Sequence, residues 1–298
     1  MVEIIKVILL GIVEGITEWL PISSTGHMIL VNEFIKLQVS RSFQEVFLVV
    51  IQLGAILAVI LLYFEKLWPF CNKREIRFDE IKTHGNRPVV SRMTYFSERY
   101  IQKDKFLLWV KILLSCLPAI FVGLPLDDWL EKHFYNYVVV ALMLIIYGVL
   151  FIFVENHNKK RRPRAKRLSE ISWKMALGIG VFQLLSLIPG TSRSGATILG
   201  GILLGASRKV AAEYTFFLAV PVMFGASLLK VVKYGLVFSG GEIALLLVGM
   251  LSAFLVSIFA IKFLMGYIRK HNFKVFGYYR IILGCIVLLY FAVKTFLS

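Results

Sequence analysis

Two carboxylates, Glu14 and Glu18, stand four residues apart in an apolar run from Ile8 to Ile22. On a helix this spacing places both side chains on one face. Carboxylates at membrane depth are costly to keep ionised and are normally functional. They can share a proton, face a cationic partner or bind a hard cation such as Mg²⁺ or Ca²⁺, which accepts carboxylate and phosphate oxygens. We therefore expect Glu14 and Glu18 to be catalytic and to ligate a metal.

A short polar segment follows the pair and consists, after Pro21 and Ile22, of Ser23, Ser24, Thr25, Gly26 and His27. Small residues at the start of a helix let backbone N–H groups approach anionic oxygens, so we expect Ser23, Thr25 and Gly26 to bind substrate. An imidazole can act as a general base, a nucleophile or a proton donor. Ser24 is the preferred nucleophile with His27 as its base, and a phosphorylated His27 or direct attack by water are the alternatives.

A second polar segment, residues 189–195, places Arg193 between two serines. A guanidinium cannot lose its charge, and its planar fork suits phosphate oxygens. The alternative is a buried salt bridge with Glu14 or Glu18, which would not explain the hydroxyls and glycines around the arginine. We expect Arg193 to be catalytic. The neighbouring residues predicted to bind substrate are Ser192, Ser194 and Gly195.

Gln52 is a polar residue in an otherwise apolar crossing. Its amide can orient a carboxylate or a metal-bound water, or it can bond a neighbouring helix. We assign it to substrate binding, with the helix-packing role as the alternative.

The composition predicts the environment of these residues. The chain has 298 residues, of which 58% are hydrophobic and 17% charged, which is typical of a polytopic helical membrane protein. The net charge of +16 comes from basic residues in short loops, where positive charge marks the cytoplasmic side. A basic stripe with interleaved aromatics is absent from the sequence, so we expect no nucleic-acid partner.

Six apolar runs are long enough to cross a bilayer, and they lie near residues 44–64, 106–124, 137–154, 213–231, 241–263 and 279–297. Two further apolar regions, 2–36 and 175–206, are interrupted by the polar segments described above. Non-helical backbone at membrane depth is tolerated where protein buries it or where it lines a watery cavity. We therefore predict an all-α fold of six transmembrane helices and two re-entrant helical hairpins.

Loop charges orient this arrangement. Loop 65–105 carries ten Lys/Arg against six Asp/Glu, and loop 155–174 carries eight against two, so both are predicted to be cytoplasmic. The intervening loop 125–136 is acidic and therefore external. The first hairpin then enters from outside and the second from inside, and we expect the active site to open toward the outer face.

A weak internal repeat agrees with this topology. At an offset of 169 residues, Gly11, Glu14, Ser23, Thr25 and Gly26 align with Gly180, Gln183, Ser192, Ser194 and Gly195. Two hairpins that enter from opposite faces indicate an inverted-topology repeat with its site at the repeat interface. The chain is predicted to be one membrane domain, with approximate halves 1–124 and 137–298.

Both polar segments resemble the signature motifs of the bacterial undecaprenyl-diphosphate phosphatase family, also called bacitracin-resistance proteins. The motifs are residues 14–27 and 189–197, and residues 51–58 and 218–225 are also similar to family segments. The sequence departs from the family at Leu48, where an acidic residue is usual, and loop 65–105 is longer than usual.

The resemblance implies a metal-dependent hydrolase of the bacterial plasma membrane. Such an enzyme converts undecaprenyl diphosphate to the monophosphate carrier lipid of cell-wall synthesis and thereby contributes to bacitracin resistance. It also implies catalytic roles for the matching Glu14, Glu18, Ser24, His27 and Arg193, an inverted-repeat fold and a homodimer. The main alternative is a carrier-lipid flippase or transporter, since inverted repeats and broken helices are typical of transporters.

Overall fold

The computed structural model describes residues 1–70, 102–159, 161–235 and 237–297. Most of the predicted 65–105 loop lies outside the described residues. The helices are α1 Val2–Thr17, α2 Ser24–Phe34, α3 Arg41–Leu62, α4 Phe64–Leu67, α5 Lys103–Pro118, α6 Leu124–Phe134, α7 Tyr137–Asn158, α8 Trp173–Leu184, α9 Arg193–Leu203, α10 Arg208–Tyr234, α11 Gly240–Tyr267 and α12 Lys274–Leu297. A π-helical turn, Ala119–Gly123, continues α5.

Within the described ranges, six helical segments are long and apolar enough to cross a membrane, and they correspond to the six predicted runs. They are Arg41–Leu62, Lys103–Gly123, Tyr137–Asn158, Arg208–Tyr234, Gly240–Tyr267 and Lys274–Phe296. Polar N-caps define where several of them begin: the side chains of Ser40, Asn136, Ser207 and Ser239 each accept the backbone N–H three residues on, which satisfies a donor that the helix leaves free. The all-α class and the multi-pass character are confirmed.

Helices α1 and α8 pack against long helices in the same manner. The Ser252 hydroxyl of α11 donates to a main-chain carbonyl of α1 at 2.9 Å, and the Ser115 hydroxyl of α5 donates to one of α8 at 2.7 Å. A Cβ on Gly11 would lie 2.7 Å from α11 backbone, and one on Gly180 would lie 2.4 Å from the Ser115 carbonyl oxygen. Glycine therefore permits the close approach on both sides.

The two interrupted regions start at opposite ends of the bundle. Helix α1 runs parallel to α11, because Gly11 lies beside Gly249 and Gly15 lies beside Ala253. Helix α8 instead begins near the carboxyl end of α11. The loop before α8 contributes Arg164 to a cavity that is also lined by Arg269, and Arg269 lies just beyond the last residue of α11. The breaks after α1 and α8 consequently meet between the long helices. The re-entrant course of each region in a bilayer, the inverted topology and the two halves stay predictions.

Candidate active site

The first break, which we call tip 1 (residues 18–27), turns the chain between α1 and α2. Glu14 and Glu18 are 2% and 7% exposed at the end of α1. Ser23 has a φ of +73°, an unusual conformation for a residue with a side chain, and its hydroxyl accepts the Gly26 N–H at 3.3 Å. The serine thus caps α2 immediately beside the carboxylates.

The second break, tip 2 (residues 187–195), repeats this geometry between α8 and α9. Ser192 has a φ of +70°, and its hydroxyl accepts the Gly195 N–H at 3.2 Å. It also lies 3.1 Å from the Ser194 hydroxyl. Arg193 is the first residue of α9, so the cap fixes the direction in which the guanidinium leaves the backbone.

The two tips contact each other through Glu18. Arg193 donates to Glu18 Oε1 from Nη2 at 3.0 Å and from Nε at 3.3 Å. The Ser24 hydroxyl donates to the other carboxylate oxygen, Oε2, at 3.1 Å, and the Ser194 hydroxyl donates to the Glu18 main-chain carbonyl at 3.0 Å. Glu18 therefore joins Ser24 and Arg193, two of the residues that the sequence predicts to be catalytic. Arg193 is held further by the Thr215 carbonyl at 3.1 Å.

His27 does not make the expected contact with Ser24. Its Nδ1 lies 2.7 Å from the Ser23 carbonyl and its Nε2 lies 2.7 Å from the Tyr279 hydroxyl. Since a carbonyl only accepts, Nδ1 carries the proton and Nε2 accepts from the tyrosine. The structure thus does not pair Ser24 with His27, the predicted base, and the serine hydroxyl donates to Glu18 instead.

Glu14 is the candidate metal ligand with an uncommitted oxygen. Its Oε1 is buried and has no hydrogen-bond partner among the described residues, an arrangement that costs free energy unless a ligand satisfies the atom. Across the described ranges, no three His, Cys, Asp or Glu side chains are grouped as a metal site. The two carboxylates thus fit a hard cation whose remaining ligands come from phosphate or water.

Two of the residues predicted to bind substrate make no side-chain hydrogen bond to described parts of either tip. Thr25 is partly buried beside Ser24, and Gln52 is partly buried on α3. The structure thus brings together tip 1 and tip 2 but leaves Gln52 outside the hydrogen-bonded cluster.

Arg280 of α12 is an important residue that the sequence reasoning missed. It is fully buried and donates from Nη2 to the carbonyls of Gly190 and Thr191 at 2.8 and 2.7 Å, and from Nη1 to that of Pro21 at 3.4 Å. The guanidinium therefore links main-chain atoms of both tips. A Cβ on Gly195 would lie 2.8 Å from Nη1, so the glycine makes room for it. The available signal was a charged residue within the sixth apolar run.

The fold and the site define a polytopic helical membrane protein with a buried, charged centre between two helix breaks. A family model described as "Bacitracin resistance protein BacA" matches residues 7–286. The chain belongs to this family.

Similar proteins span essentially the whole chain. The undecaprenyl-diphosphatase 1 of Clostridium acetobutylicum is 59% identical over 98% of both chains. The undecaprenyl-diphosphatase of Desulfitobacterium hafniense is 58% identical over 100% of this chain and 99% of its own. One from Enterococcus faecalis is 56% identical over 98% of both chains.

Proposed function

We propose that this protein is an undecaprenyl-diphosphatase, which hydrolyses undecaprenyl diphosphate to undecaprenyl phosphate and inorganic phosphate. The observation that carries the proposal is the buried contact of Glu18 with both Ser24 and Arg193. It places a hydroxyl, a carboxylate and a guanidinium together, the groups that a phosphoryl transfer needs. Full-length similarity to proteins named undecaprenyl-diphosphatase supports the substrate.

The isoprenoid tail lies among the helices in lipid, and the diphosphate head enters between the two tips. Arg193 holds the oxygens of the transferring phosphoryl group through its fork. Backbone N–H groups at the starts of α2 and α9 add partial positive charge at the same place. Stabilising the negative charge on the oxygens of the transferring phosphoryl group is the main contribution that a protein makes to this reaction.

The Ser24 oxygen attacks the terminal phosphorus while the bond from that phosphorus to the bridging oxygen breaks. Undecaprenyl phosphate leaves with the bonding electron pair, and the serine proton passes to Glu18 Oε2, which already accepts it at 3.1 Å. Glu18 passes this proton to the departing phosphate oxygen and is ionised again. Water then attacks the phosphoserine and gives a proton to Glu18, which returns it to the serine oxygen as the bond from phosphorus to that oxygen breaks and inorganic phosphate departs. His27 stands one turn along α2, where its bonds to the Ser23 carbonyl and the Tyr279 hydroxyl hold the start of that helix in position for the reaction.

Glu14 and Glu18 are the residues that would hold Mg²⁺ or Ca²⁺. Glu14 provides a buried oxygen without a hydrogen-bond partner among the described residues, and Glu18 adds a second buried carboxylate four residues on. When bound, the cation neutralises diphosphate charge.

The protein resides in the bacterial plasma membrane, with loop 155–174 cytoplasmic and the site open to the outer face. The eight basic residues of that loop support this orientation. A homodimer is proposed on the family resemblance alone, and light scattering of the purified protein tests it.

The test is phosphate release from purified protein supplied with undecaprenyl diphosphate, with and without EDTA. Release that EDTA suppresses and excess Mg²⁺ or Ca²⁺ restores is expected, with Glu18→Gln as the matched blank. Absence of release from a folded, metal-supplied protein contradicts the proposal.

A carrier-lipid flippase is the second candidate, because α1 and α8 start at opposite ends of the bundle and meet within it. Movement of fluorescent undecaprenyl phosphate across vesicle membranes, without hydrolysis, would support it. Equal movement in protein-free vesicles would contradict it.

A further inference from the structure

A large cavity lies away from the tips, at the ends of α7, α9 and α11 and the start of α10. Its volume is about 880 Å³. Helix α9 separates it from the active site: the helix has 11 residues from Arg193 to Leu203, a length of about 16 Å. Leu203 lines the cavity, so the two sites are distinct.

The cavity is strongly basic. Seven of its described lining residues are cationic and one is acidic, and they come from three separate stretches of chain. The cations that the proposal uses are Arg161, Arg162, Arg164, Arg208, Lys209 and Arg269. A solvated cytoplasmic loop would explain the three arginines of residues 161–164. It would not explain why they lie beside the start of α10 and the carboxyl end of α11.

The carboxylate among the described lining residues of the cavity already has partners. Glu155 is 2% exposed, accepts from Arg208 at distances of 2.5 to 3.1 Å and accepts the Phe273 N–H at 3.1 Å. Within the part of the chain that the structure describes, Arg161, Arg162 and Arg269 have no carboxylate partner. Their charges are therefore available to a ligand.

The basic loop is held in place by the backbone. The N–H groups of Arg164 and Ala165 donate to the Gly205 carbonyl at 2.8 and 3.1 Å, and the Ser207 N–H donates to the Ala165 carbonyl at 2.8 Å. These bonds attach the loop to the turn between α9 and α10. The arginines therefore surround the cavity from a fixed framework.

Apolar side chains complete the surface. Ile202, Leu203, Leu204 and Ile268 line the same cavity, and Leu203 is 39% exposed. A basic rim beside apolar side chains matches a phosphate-bearing head group whose acyl chains continue along the helices. Basic pockets between helices on the cytoplasmic side bind anionic lipids in this way.

We propose that this cavity binds the phosphate-bearing head group of an anionic phospholipid from the cytoplasmic leaflet. The ligand chemistry is a phosphodiester held by several guanidinium groups. The site is separate from the proposed phosphatase centre and does not depend on its activity.

The test is the rise in Tm of the purified, delipidated protein as phosphatidylglycerol is titrated into detergent micelles. The variant Arg161→Gln/Arg162→Gln/Arg269→Gln removes three cavity charges. The matched control Lys166→Gln/Arg167→Gln/Lys174→Gln removes three charges from the same face outside the cavity. Lipid affinity should fall about 100-fold in the first variant and less than threefold in the control. Both should melt without lipid near the wild-type temperature.

Three further outcomes decide the proposal. Equal lipid affinity in both variants overturns it. Phosphatidylcholine with the same acyl chains should give no rise, and a rise equal to that of phosphatidylglycerol overturns the requirement for an anion. A rise with inorganic phosphate alone, lost in the cavity variant, overturns the lipid as the occupant.

Discussion

Tip 1 and tip 2 share the backbone conformation of their capping serine but carry different reactive side chains. Ser23 and Ser192 adopt φ values of +73° and +70°, and each caps a helix by accepting the N–H of a glycine three residues on. The tips are thus two copies of one structural solution.

The side chains at equivalent positions, 169 residues apart, are not alike. Glu14 corresponds to Gln183, and Ser24 corresponds to Arg193. Both Glu14 and Gln183 are buried, and both have side-chain atoms that find no hydrogen-bond partner in the described part of the chain. One tip therefore supplies the acids and the hydroxyl, the other supplies the cation, and neither tip alone forms the site.

The largest effects are expected from breaking the contact between the tips. Glu18→Gln and Arg193→Met should each lower phosphate release by about 10³-fold or more. The first removes the proposed proton acceptor of Ser24, and the second removes the positive charge that would stabilise the phosphoryl oxygens. The loop variant Lys166→Gln should stay within twofold. Activity within tenfold of wild type in a folded Arg193→Met protein would contradict the assignment.

The exchange Glu18→Arg/Arg193→Glu separates catalysis from a merely structural ion pair. The pair can re-form in the reversed sense, so the protein should regain stability relative to the single variants without regaining phosphate release. Recovery of activity in the exchanged protein would reduce Arg193 to a structural role.

Ser24 is expected to carry a covalent phosphate. Ser24→Ala should lower phosphate release by about 10³-fold. His27→Ala should lower it by about 10²-fold through loss of positioning, and the neighbouring control Thr25→Ala by less than tenfold. Labelled substrate should leave acid-stable phosphate on wild-type protein and none on Ser24→Ala. Acid-labile label would identify His27 as the nucleophile, and an unlabelled protein would favour direct attack by water.

Two single substitutions at the equivalent positions 14 and 183 test whether the carboxylate of Glu14 binds a cation that Gln183 does not. Glu14→Gln should raise the Mg²⁺ or Ca²⁺ concentration needed for half-maximal activity by at least tenfold. Gln183→Glu places a buried carboxylate where no cation is expected and should cost about 3 kcal/mol of stability, measured as a lower Tm. An unchanged metal requirement in Glu14→Gln would remove Glu14 from the ligand set.

The smallest effects concern the two glycines. A Cβ on Gly195 meets the Arg280 guanidinium at 2.8 Å, whereas one on Gly26 meets a terminal methyl of Leu144 at 2.9 Å. Gly195→Ala should therefore cost about 2 kcal/mol, while Gly26→Ala should cost about 1 kcal/mol because a methyl group moves more easily than a hydrogen-bonded guanidinium. Thermal melting compares them, and equal losses would show that the guanidinium adapts.

The apolar runs were sufficient to predict the six spans and the two breaks, because length and hydrophobicity limit what can cross a bilayer. The contact of Glu18 with Arg193 was also anticipated, as the structural alternative for a buried arginine. The partner of Ser24 was not. His27 was expected to be its base, but Ser24 follows the positive-φ residue Ser23 and its hydroxyl donates to Glu18 at the end of α1 instead.

Arg280 and Tyr279 could not be located from the motifs. Arg280 binds main-chain carbonyls, which have no sequence signature, and Tyr279 meets a histidine 252 positions earlier in the chain. Such contacts depend on how α12 packs beside the tips, and neither periodicity nor spacing specifies that packing.

The position of Arg280 in the last helix has a consequence for biosynthesis. The residues proposed to contact phosphate are translated before α12, yet the guanidinium that links Pro21 to Gly190 arrives with it. A nascent chain therefore contains every proposed reactive residue before it contains Arg280, which joins the two tips. Hydrolytic competence should appear only at the end of membrane insertion, when the final helix docks.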